Sequence, residues 1–195
     1  MFALTPQVLR LGASYLSGLG LPAIAQPHLE RLSAAVGEST STAVLDGHDI
    51  VYVARAATRR IMSVGITVGT RFPAYATSMG RVLLASLEPV DLEAYLSSVE
   101  MTPLTDRTVS DPAALRDVLG AVRQQGWCVV DQELEAGLRS IAVPVVRGGQ
   151  AVAAINVSTS VATSDGASLT GHHLEPLLAT AASIGADLDA ALLFG

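Results

Sequence analysis

Two tight turns between apolar, strand-forming runs constrain the fold of this chain most. Asp46-Gly47-His48-Asp49 is one of them, and Gly148-Gly149 is the other. Gly, Asp and Asn in such short connections favour β-hairpins, whose strands run antiparallel. A parallel sheet would instead need long helical crossovers between its strands. The sequence therefore predicts an antiparallel sheet, whose hairpin strands are 40–45, 50–54, 140–146 and 151–158.

Two more strands and a set of helices complete the predicted architecture. The further strands are predicted at 60–66 and 127–130, giving six in all. Apolar residues at helical spacing, with caps such as Ser110 or Asp111 and a stop at Gly126, predict the helices. These helices are predicted at 23–36, 78–86, 89–99, 112–125 and 171–193. The expected fold class is α+β, a six-stranded antiparallel sheet with helices packed against it.

Composition narrows the class of protein. The chain has 195 residues, of which 50% are apolar and 15% charged, so it can form one folded domain with a sizeable core. Its net charge of −6 argues against this segment itself gripping nucleic acid or an acidic membrane. Cys128 is the single cysteine, so no internal disulfide can form, which fits a reducing, cytoplasmic compartment.

The first 20 residues allow two interpretations. One basic residue followed by an uncharged run resembles a secretory leader, but serines, glycines and Pro22 dilute that run. The same residues also fit a helix with Thr5 as N-cap and Pro6 at its first position. That helix has two apolar stripes, of which one domain covers only one. We expect a linker helix at 1–20 and a sensing domain at 21–195.

The segment 69–85 combines features of a site for a small acid. An apolar run ends at Gly69, a loop crosses Pro73, and small residues then open a short apolar helix at Ser78. The first N–H groups of a helix lack partners within it, and a helix N-terminus favours anions. Chemistry alone leaves two interpretations open, a carboxylate site or a well-capped connection.

Motifs for most catalytic chemistries are missing from the sequence. It contains no G-x-S-x-G, no Walker loop, no H-E-x-x-H and no paired cysteines. His172 and His173 are adjacent on a predicted helix, point about 100° apart and cannot clamp one metal together. Cys128 lies in an apolar run, which favours an inert buried thiol. We therefore expect no catalytic residues, no metal and no cofactor.

One acidic cluster could suggest metal binding or acid–base chemistry. It comprises Asp131, Glu133 and Glu135, within five residues. No histidine lies nearby in the sequence, so a solvated or interface loop is the favoured interpretation. An enzyme that acts on a small acid, with Asp131, Glu133 and Ser140 as its candidate groups, stays as an alternative.

Two segments carry a resemblance to a known family. They are 69–85 and 126–158, the latter with Gly137-Leu138-Arg139 before a strand containing Ala142-Val143-Pro144. These segments resemble the effector-binding domain of IclR-type bacterial transcription regulators, closest to the regulators of protocatechuate, 4-hydroxybenzoate and β-ketoadipate breakdown. The resemblance implies a GAF/profilin-like fold and a domain that senses an aromatic or oxo carboxylic acid to control aromatic catabolism genes.

The resemblance also implies a concave binding site. Ser78 and Met79 would present backbone N–H groups to a carboxylate, and side-chain hydrogen bonds would come from Ser140, Asn156 and Ser158. The apolar floor would consist of Ile61, Val64, Phe72 and Leu138. The strand pattern supports this independently, because residues 156 and 158 share one face and buried polar groups need partners, which a ligand can supply.

An aromatic acid also needs a cation, and the sequence offers two candidates. Arg60 is preferred because it precedes Met62 and Val64 in alternation, and Arg139 is the alternative. Either could instead be a surface arginine. The family usually has a pair of acidic residues here, and in this chain Val130 stands at the position of the first. This departure argues against Asp131 as a ligand contact.

A shared site requires a particular hairpin register. Ser140 must lie opposite or diagonal to Ser158 for the two to face one cavity. We expect an odd-length loop, such as Gly148-Gly149-Gln150, because a two-residue loop would shift the register by one and turn Ser140 away.

The resemblance sets the expected partners as well. The family's winged helix-turn-helix is not found in these residues, so operator DNA would be bound only through such an N-terminal domain. We expect a small carboxylic-acid effector, a homodimer or dimer of dimers, and no membrane. A ligand-independent oligomerisation module is the other alternative.

Overall fold

The computed structural model describes residues 20–58, 65–162 and 169–193, and within them six strands form one antiparallel sheet. Their order is β3-β2-β1-β6-β5-β4. The bounds are β1 Ser39–Asp46, β2 Asp49–Ala56, β3 Arg71–Pro73, β4 Cys128–Asp131, β5 Leu138–Arg147 and β6 Gln150–Ser160. Every pairing is antiparallel, so the predicted α+β class and the six-stranded sheet are confirmed.

Helices cover both faces of the sheet. They are α1 Leu21–Val36, α2 Ser78–Ala85, α3 Pro89–Ser98, α4 Pro112–Gln125 and α5 Leu174–Leu193. Local signals explain the bounds of α4, since the Asp111 carboxylate accepts a hydrogen bond from the Ala114 N–H and Gly126 ends the helix at φ 80°. A π-helical turn, Leu169–His173, precedes α5, where the sequence predicts continuous helix. No helix in the described ranges has the length and apolarity to cross a bilayer.

Alternating strand residues supply two separate cores. Ile141, Val143 and Val145 of β5 project to the face covered by α1 and α5. Ala142 projects to the other face, where α2, α3 and α4 pack. This alternation follows from the two-residue period of a strand. The sheet is therefore the middle layer of three, and β5 places its larger apolar side chains on the side of α1 and α5.

The β5–β6 hairpin reaches the expected register by a different route. Ser140 pairs directly with Ser158, so both project to one face as predicted. The loop, however, has two residues, Gly148 and Gly149, both at positive φ, which contradicts the expected odd-length loop. Val145 pairs with Ala153 while the next residue pairs with Ala151, so β6 has one extra residue, a β-bulge. The bulge restores the register that the short loop would have shifted.

The third strand in chain order differs from the prediction. It is Arg71–Pro73, which pairs with the start of β2, whereas a strand was predicted at 60–66. Gly65 and Ile66 are not in a strand, and residues 60–64 lie outside the described residues. The predicted linker helix also lies outside them, apart from Gly20. A Pro-containing segment as short as β3 forms a sheet edge through tertiary contacts more than through its own propensity.

Candidate functional site

The start of α2 is seated tightly against the turn that precedes it. Residues Ala74–Ala76 form a 3₁₀ turn, and Thr77 caps α2 by accepting a hydrogen bond from the Gly80 N–H at 3.0 Å. A Cβ on Gly80 would lie 2.2 Å from the carbonyl oxygen of Ala74, so only glycine fits there. This close approach fixes where the first turn of α2 meets the sheet.

Four polar side chains meet between α2 and the sheet. The Ser78 and Ser140 hydroxyl oxygens are 2.7 Å apart, and the Asn156 Nδ2 donates to the Ser158 Oγ at 2.9 Å. Asn156 is 3% exposed, and its Oδ1 has no hydrogen-bond partner among the described residues. A buried acceptor without a donor is unfavourable, so this cluster has an unused polar group.

A small cavity lies at this cluster. Its free volume is about 10 Å³, roughly the room of one water molecule. The α2 end of the wall comprises Ala76, Thr77 and Ser78, and the sheet contributes the other three polar residues. The remaining lining residues are mostly apolar: Tyr52, Ile66, Val130, Leu134 and Leu138.

The structure brings together half of the residues expected from the sequence. Ser78, Ser140, Asn156, Ser158 and Leu138 all line the cavity. Two others do not line it, since Met79 is buried in the neighbouring core and Phe72 lies behind the cavity wall. Arg60, Ile61 and Val64 are outside the described residues.

Phe72 supports the cavity wall from behind. Its ring packs edge to face on Tyr52, with ring centroids 5.8 Å apart, and Tyr52 itself lines the cavity. Aromatic pairs of this geometry add stability beyond the burial of their area. Phe72 therefore positions a lining residue.

The register places Arg139 away from the cavity. It precedes Ser140 on β5 and therefore projects to the opposite face. Its Nε donates to the Asp131 carboxylate at 2.6 Å, and Arg107 donates to the same carboxylate at 3.1 Å. These partners hold the pKa of Asp131 below its ordinary value, and the hydrogen bond from Arg139 has the largest effect. The pair fixes the edge of the sheet, and neither residue is among those lining the cavity.

A buried ion pair anchors the loop that covers the cavity. Arg81 on α2 donates to both carboxylate oxygens of Glu133, at 2.6 and 2.5 Å, and the two residues are 2% and 8% exposed. The Arg81 Nε also donates to the Tyr75 carbonyl, and the Val109 N–H donates to Glu133. The expectation of a solvated loop is therefore wrong for Glu133, because this carboxylate is fully engaged inside the protein.

The thiol of Cys128 is buried as predicted. Its residue is 2% exposed, and burial raises the pKa of this thiol to about 12. Because the thiolate is the reactive form, the group is inert at neutral pH. Within the described ranges, no group of three or more His, Cys, Asp or Glu side chains could hold a metal ion.

Tyr52 and Leu134 are lining residues that the sequence reasoning missed. Tyr52 lies on β2 among apolar residues and belongs to the core on that face, so its position in the sequence carries no separate signal of a binding role. Leu134 sits between the acids of a loop thought to be solvated. Its apolar side chain inside an acidic run was the available signal, since such a residue needs a buried environment.

Comparison with known proteins places the chain in a family. The family model for the C-terminal region of the bacterial transcriptional regulator IclR matches residues 13–186. The chain belongs to this family. Among curated relatives of the IclR C-terminal domain, the Pca regulon regulatory protein of Pseudomonas putida is 51% identical over 162 residues, which are 82% of this chain and 56% of that protein. The chain thus spans little more than half the length of that relative.

Solved structures agree with this membership of the IclR C-terminal family. A proposed transcriptional regulator from Rhodococcus sp. RHA1 is 54% identical with a TM-score of 0.91, over 97% of this chain and 78% of that one. A double mutant of the PobR inducer-binding domain from Acinetobacter has been solved in complex with 3-hydroxybenzoic acid. It is 34% identical with a TM-score of 0.78, over 82% of this chain and 94% of that one.

Proposed function

We propose that this domain senses a small aromatic or oxo carboxylic acid, of the protocatechuate, 4-hydroxybenzoate or β-ketoadipate type, to control aromatic catabolism genes. The observation that carries the proposal is the buried, unpartnered Oδ1 of Asn156 in a cavity that three serine hydroxyls also line. Polar groups left unsatisfied in a native site need a role, and a bound ligand with polar ends gives them partners.

The start of α2 is the proposed place for a carboxylate. Ser78 and Met79 are the first residues of this helix, and their N–H groups have no acceptor within it. The partial positive charge of a helix N-terminus favours an anion there. The Ser78 and Ser140 hydroxyls can reorient to donate to the same carboxylate.

The cavity must widen to accept an acid of this size. A free volume of about 10 Å³ is far below the several hundred Å³ of ordinary ligand sites. Leu134 and Leu138 line the cavity from the loop after β4 and from the first residue of β5. We propose that these two leucines move outward on binding, while the hydrogen-bonding groups on the sheet stay in place.

Two comparisons support this ligand class. The Pseudomonas putida relative is named for the Pca regulon, and the Acinetobacter domain was solved with 3-hydroxybenzoic acid. An aromatic acid with one carboxylate and one hydroxyl suits a site that combines helix N–H groups, serine hydroxyls and an amide. The effector of this chain is proposed from that chemistry.

A thermal-shift screen with protocatechuate, 4-hydroxybenzoate and β-ketoadipate tests the proposal. A ligand at a hundredfold excess over its Kd should stabilise the domain by about 2.7 kcal/mol. The methyl ester of the active acid should give a much smaller shift, because it lacks the anion. If none of the three acids shifts the melting temperature, the domain is a ligand-independent module and the proposal fails.

Matched serine variants locate the binding site. Ser140→Ala removes a hydroxyl from the cavity, and Ser97→Ala removes one from an exposed helix position, where it bonds only its own helix. We expect Ser140→Ala to weaken binding of the active acid about tenfold, the value of one good hydrogen bond to a charged group. Ser97→Ala should bind like the wild type, and equal affinities for all three proteins would place the ligand elsewhere.

We propose that the bound acid is released unchanged. The family comprises transcriptional regulators, and the cavity contains no carboxylate and no histidine among its lining residues in the described ranges. Prolonged incubation with 4-hydroxybenzoate should return it quantitatively by chromatography. Appearance of a product would favour the enzyme alternative.

We also propose that the domain forms a homodimer or a dimer of dimers, the closed symmetric assemblies that homo-oligomers commonly adopt. Operator DNA would be bound through an N-terminal domain of a full-length regulator. Light scattering at micromolar concentration should give a multiple of 20.1 kDa. A single species of that mass would contradict the proposed assembly.

A further inference from the structure

Arg55 differs from every other arginine in the described ranges, because its side chain has no recorded partner. The others donate to carboxylates, to backbone carbonyls or to a histidine, and Arg147 forms an ion pair with Asp189 at 4.0 Å. The Nε of Arg55 is buried and has no hydrogen-bond partner among the described residues. Removing part of a cation from water without an anion is unfavourable, so this guanidinium is suited to a negatively charged partner.

Strand register places Arg55 on the cavity face of the sheet. Its partner on β1 is Ser41, and the partner of Ser41 on β6 is Asn156, which lines the cavity. Directly paired residues project to the same face. Two strand spacings, about 10 Å, separate the backbone of Arg55 from that of Asn156.

A β-bulge gives Arg55 this orientation. Tyr52 lines the cavity three residues earlier, and strict alternation would place the two side chains on opposite faces. Val53 is an extra residue, so Tyr52 pairs with Ala43 and Arg55 pairs with Ser41. Arg55 is close enough to lower the pKa of the Tyr52 phenol, although burial has the larger effect and raises it to about 12.

The backbone at Arg55 is held from the other side of the sheet. The Gln26 side chain on α1 donates to the Arg55 carbonyl at 3.1 Å and accepts from its N–H at 3.3 Å. These bonds give partners to the backbone N–H and C=O of Arg55, which lies beyond the part of β2 that pairs with β3. The guanidinium therefore projects from a fixed backbone beside the wall that Tyr52 forms.

We infer that Arg55 is a second anion anchor beside the cavity, a specificity-determining residue that selects, among the acids of the proposed function, one with a carboxylate at each end. This inference rests on the proposed function. One carboxylate meets the start of α2 above β5, where Ser78 contacts Ser140. The other meets Arg55 above β2, three strand spacings or about 14 Å away. The inference requires the side chains at the two ends to shorten this backbone distance to the length of a small diacid.

Calorimetric titration with adipate and monomethyl adipate tests the inference. The wild type should bind adipate at least tenfold more tightly than the monoester, because only adipate uses both anchors. Arg55→Gln should remove this difference, and Arg55→Lys should keep part of it. The control is Arg116→Gln, which removes an exposed arginine paired with Glu93, and it should leave both affinities unchanged.

Unliganded stability separates anchoring from a structural role. Arg55→Gln should melt no lower than the wild type, since no described residue forms a hydrogen bond or ion pair with the Arg55 side chain. A large loss of melting temperature, or equal adipate affinity in wild type and Arg55→Gln, would overturn the inference. It would also be overturned if 4-hydroxybenzoate binds the wild type and adipate does not, a result that leaves the proposed function standing. If neither these acids nor protocatechuate and β-ketoadipate bind, the proposed function itself fails.

Discussion

The two faces of the sheet differ in chemistry although the same strands build them. On the face covered by α1 and α5, β6 presents Ile155 and Val157, both with 0% exposure. On the other face it presents Asn156 and Ser158, which are almost as deeply buried. Apolar side chains stabilise a fold wherever they pack, whereas buried polar groups need specific partners. The difference indicates that the α1–α5 face serves stability alone, whereas the α2 face combines an apolar core with the polar groups that serve recognition.

The buried pair of Arg81 and Glu133 tests how much the α2 face, which carries the recognition groups, contributes to the free energy of unfolding. Arg81→Met leaves the Glu133 carboxylate buried without its cation, so we expect a loss of about 3–5 kcal/mol in the free energy of unfolding. Urea denaturation measures it. The double variant Arg81→Met/Glu133→Leu should recover much of the loss, because no charge then remains buried. A loss below about 1 kcal/mol for the single variant would show that this face contributes little to stability.

A truncation in the opposite core should separate stability from binding. Leu177 on α5 is fully buried against the sheet. Leu177→Ala should cost about 2–5 kcal/mol, since it removes packed atoms and leaves a cavity. The affinity of the folded variant for 4-hydroxybenzoate, measured below its melting temperature, should equal that of the wild type. Weakened binding would show that the two faces are coupled.

A pair of glycine variants sharpens the comparison at α2. Gly80→Ala forces the helix away from the Ala74 backbone, and we expect a loss of about 1–3 kcal/mol typical of overpacking together with weaker acid binding. Gly120→Ala adds the same methyl group to α4, where nothing lies within 4 Å. It should be neutral or stabilise by up to about 1 kcal/mol. Equal effects of the two substitutions would contradict the close approach at Gly80.

The smallest expected effect concerns Asp131 at the edge of the sheet. Its pKa is lowered in the folded state, so its ion pairs stabilise the protein above the unfolded pKa of about 4 and are lost as pH falls through the folded value. Asp131→Asn should cost less than about 1 kcal/mol at pH 7, because the carboxylate is partly exposed. Denaturation curves of the two proteins should converge once the pH falls below the lowered, folded-state pKa of Asp131. A difference that persists there would point to packing instead of charge.

The candidate site was predictable where it depends on local pattern. Residues 156 and 158 share a face because strand residues alternate, and Ser78 opens a helix because Thr77 caps it. Arg139 illustrates the limit. It was the alternative cation for the acid, but it is adjacent to Ser140 on a strand and therefore projects to the opposite face, where Asp131 is its partner.

The amino-acid sequence by itself determined the hairpins, the helix caps and the alternation that places Asn156 and Ser158 on one side of β6 and apolar residues on the other. These features depend on neighbours within a few residues, so short-range chemistry decides them. Tertiary structure alone decided the bulges at Val53 and Val152, the edge strand at Arg71–Pro73 and the pairing of Arg81 with Glu133. Each of these joins segments distant in the chain, and which partners meet is set by the packing of whole layers. The orientation of Arg55 is decided at that level too, because one extra residue in β2 reverses the face to which it projects.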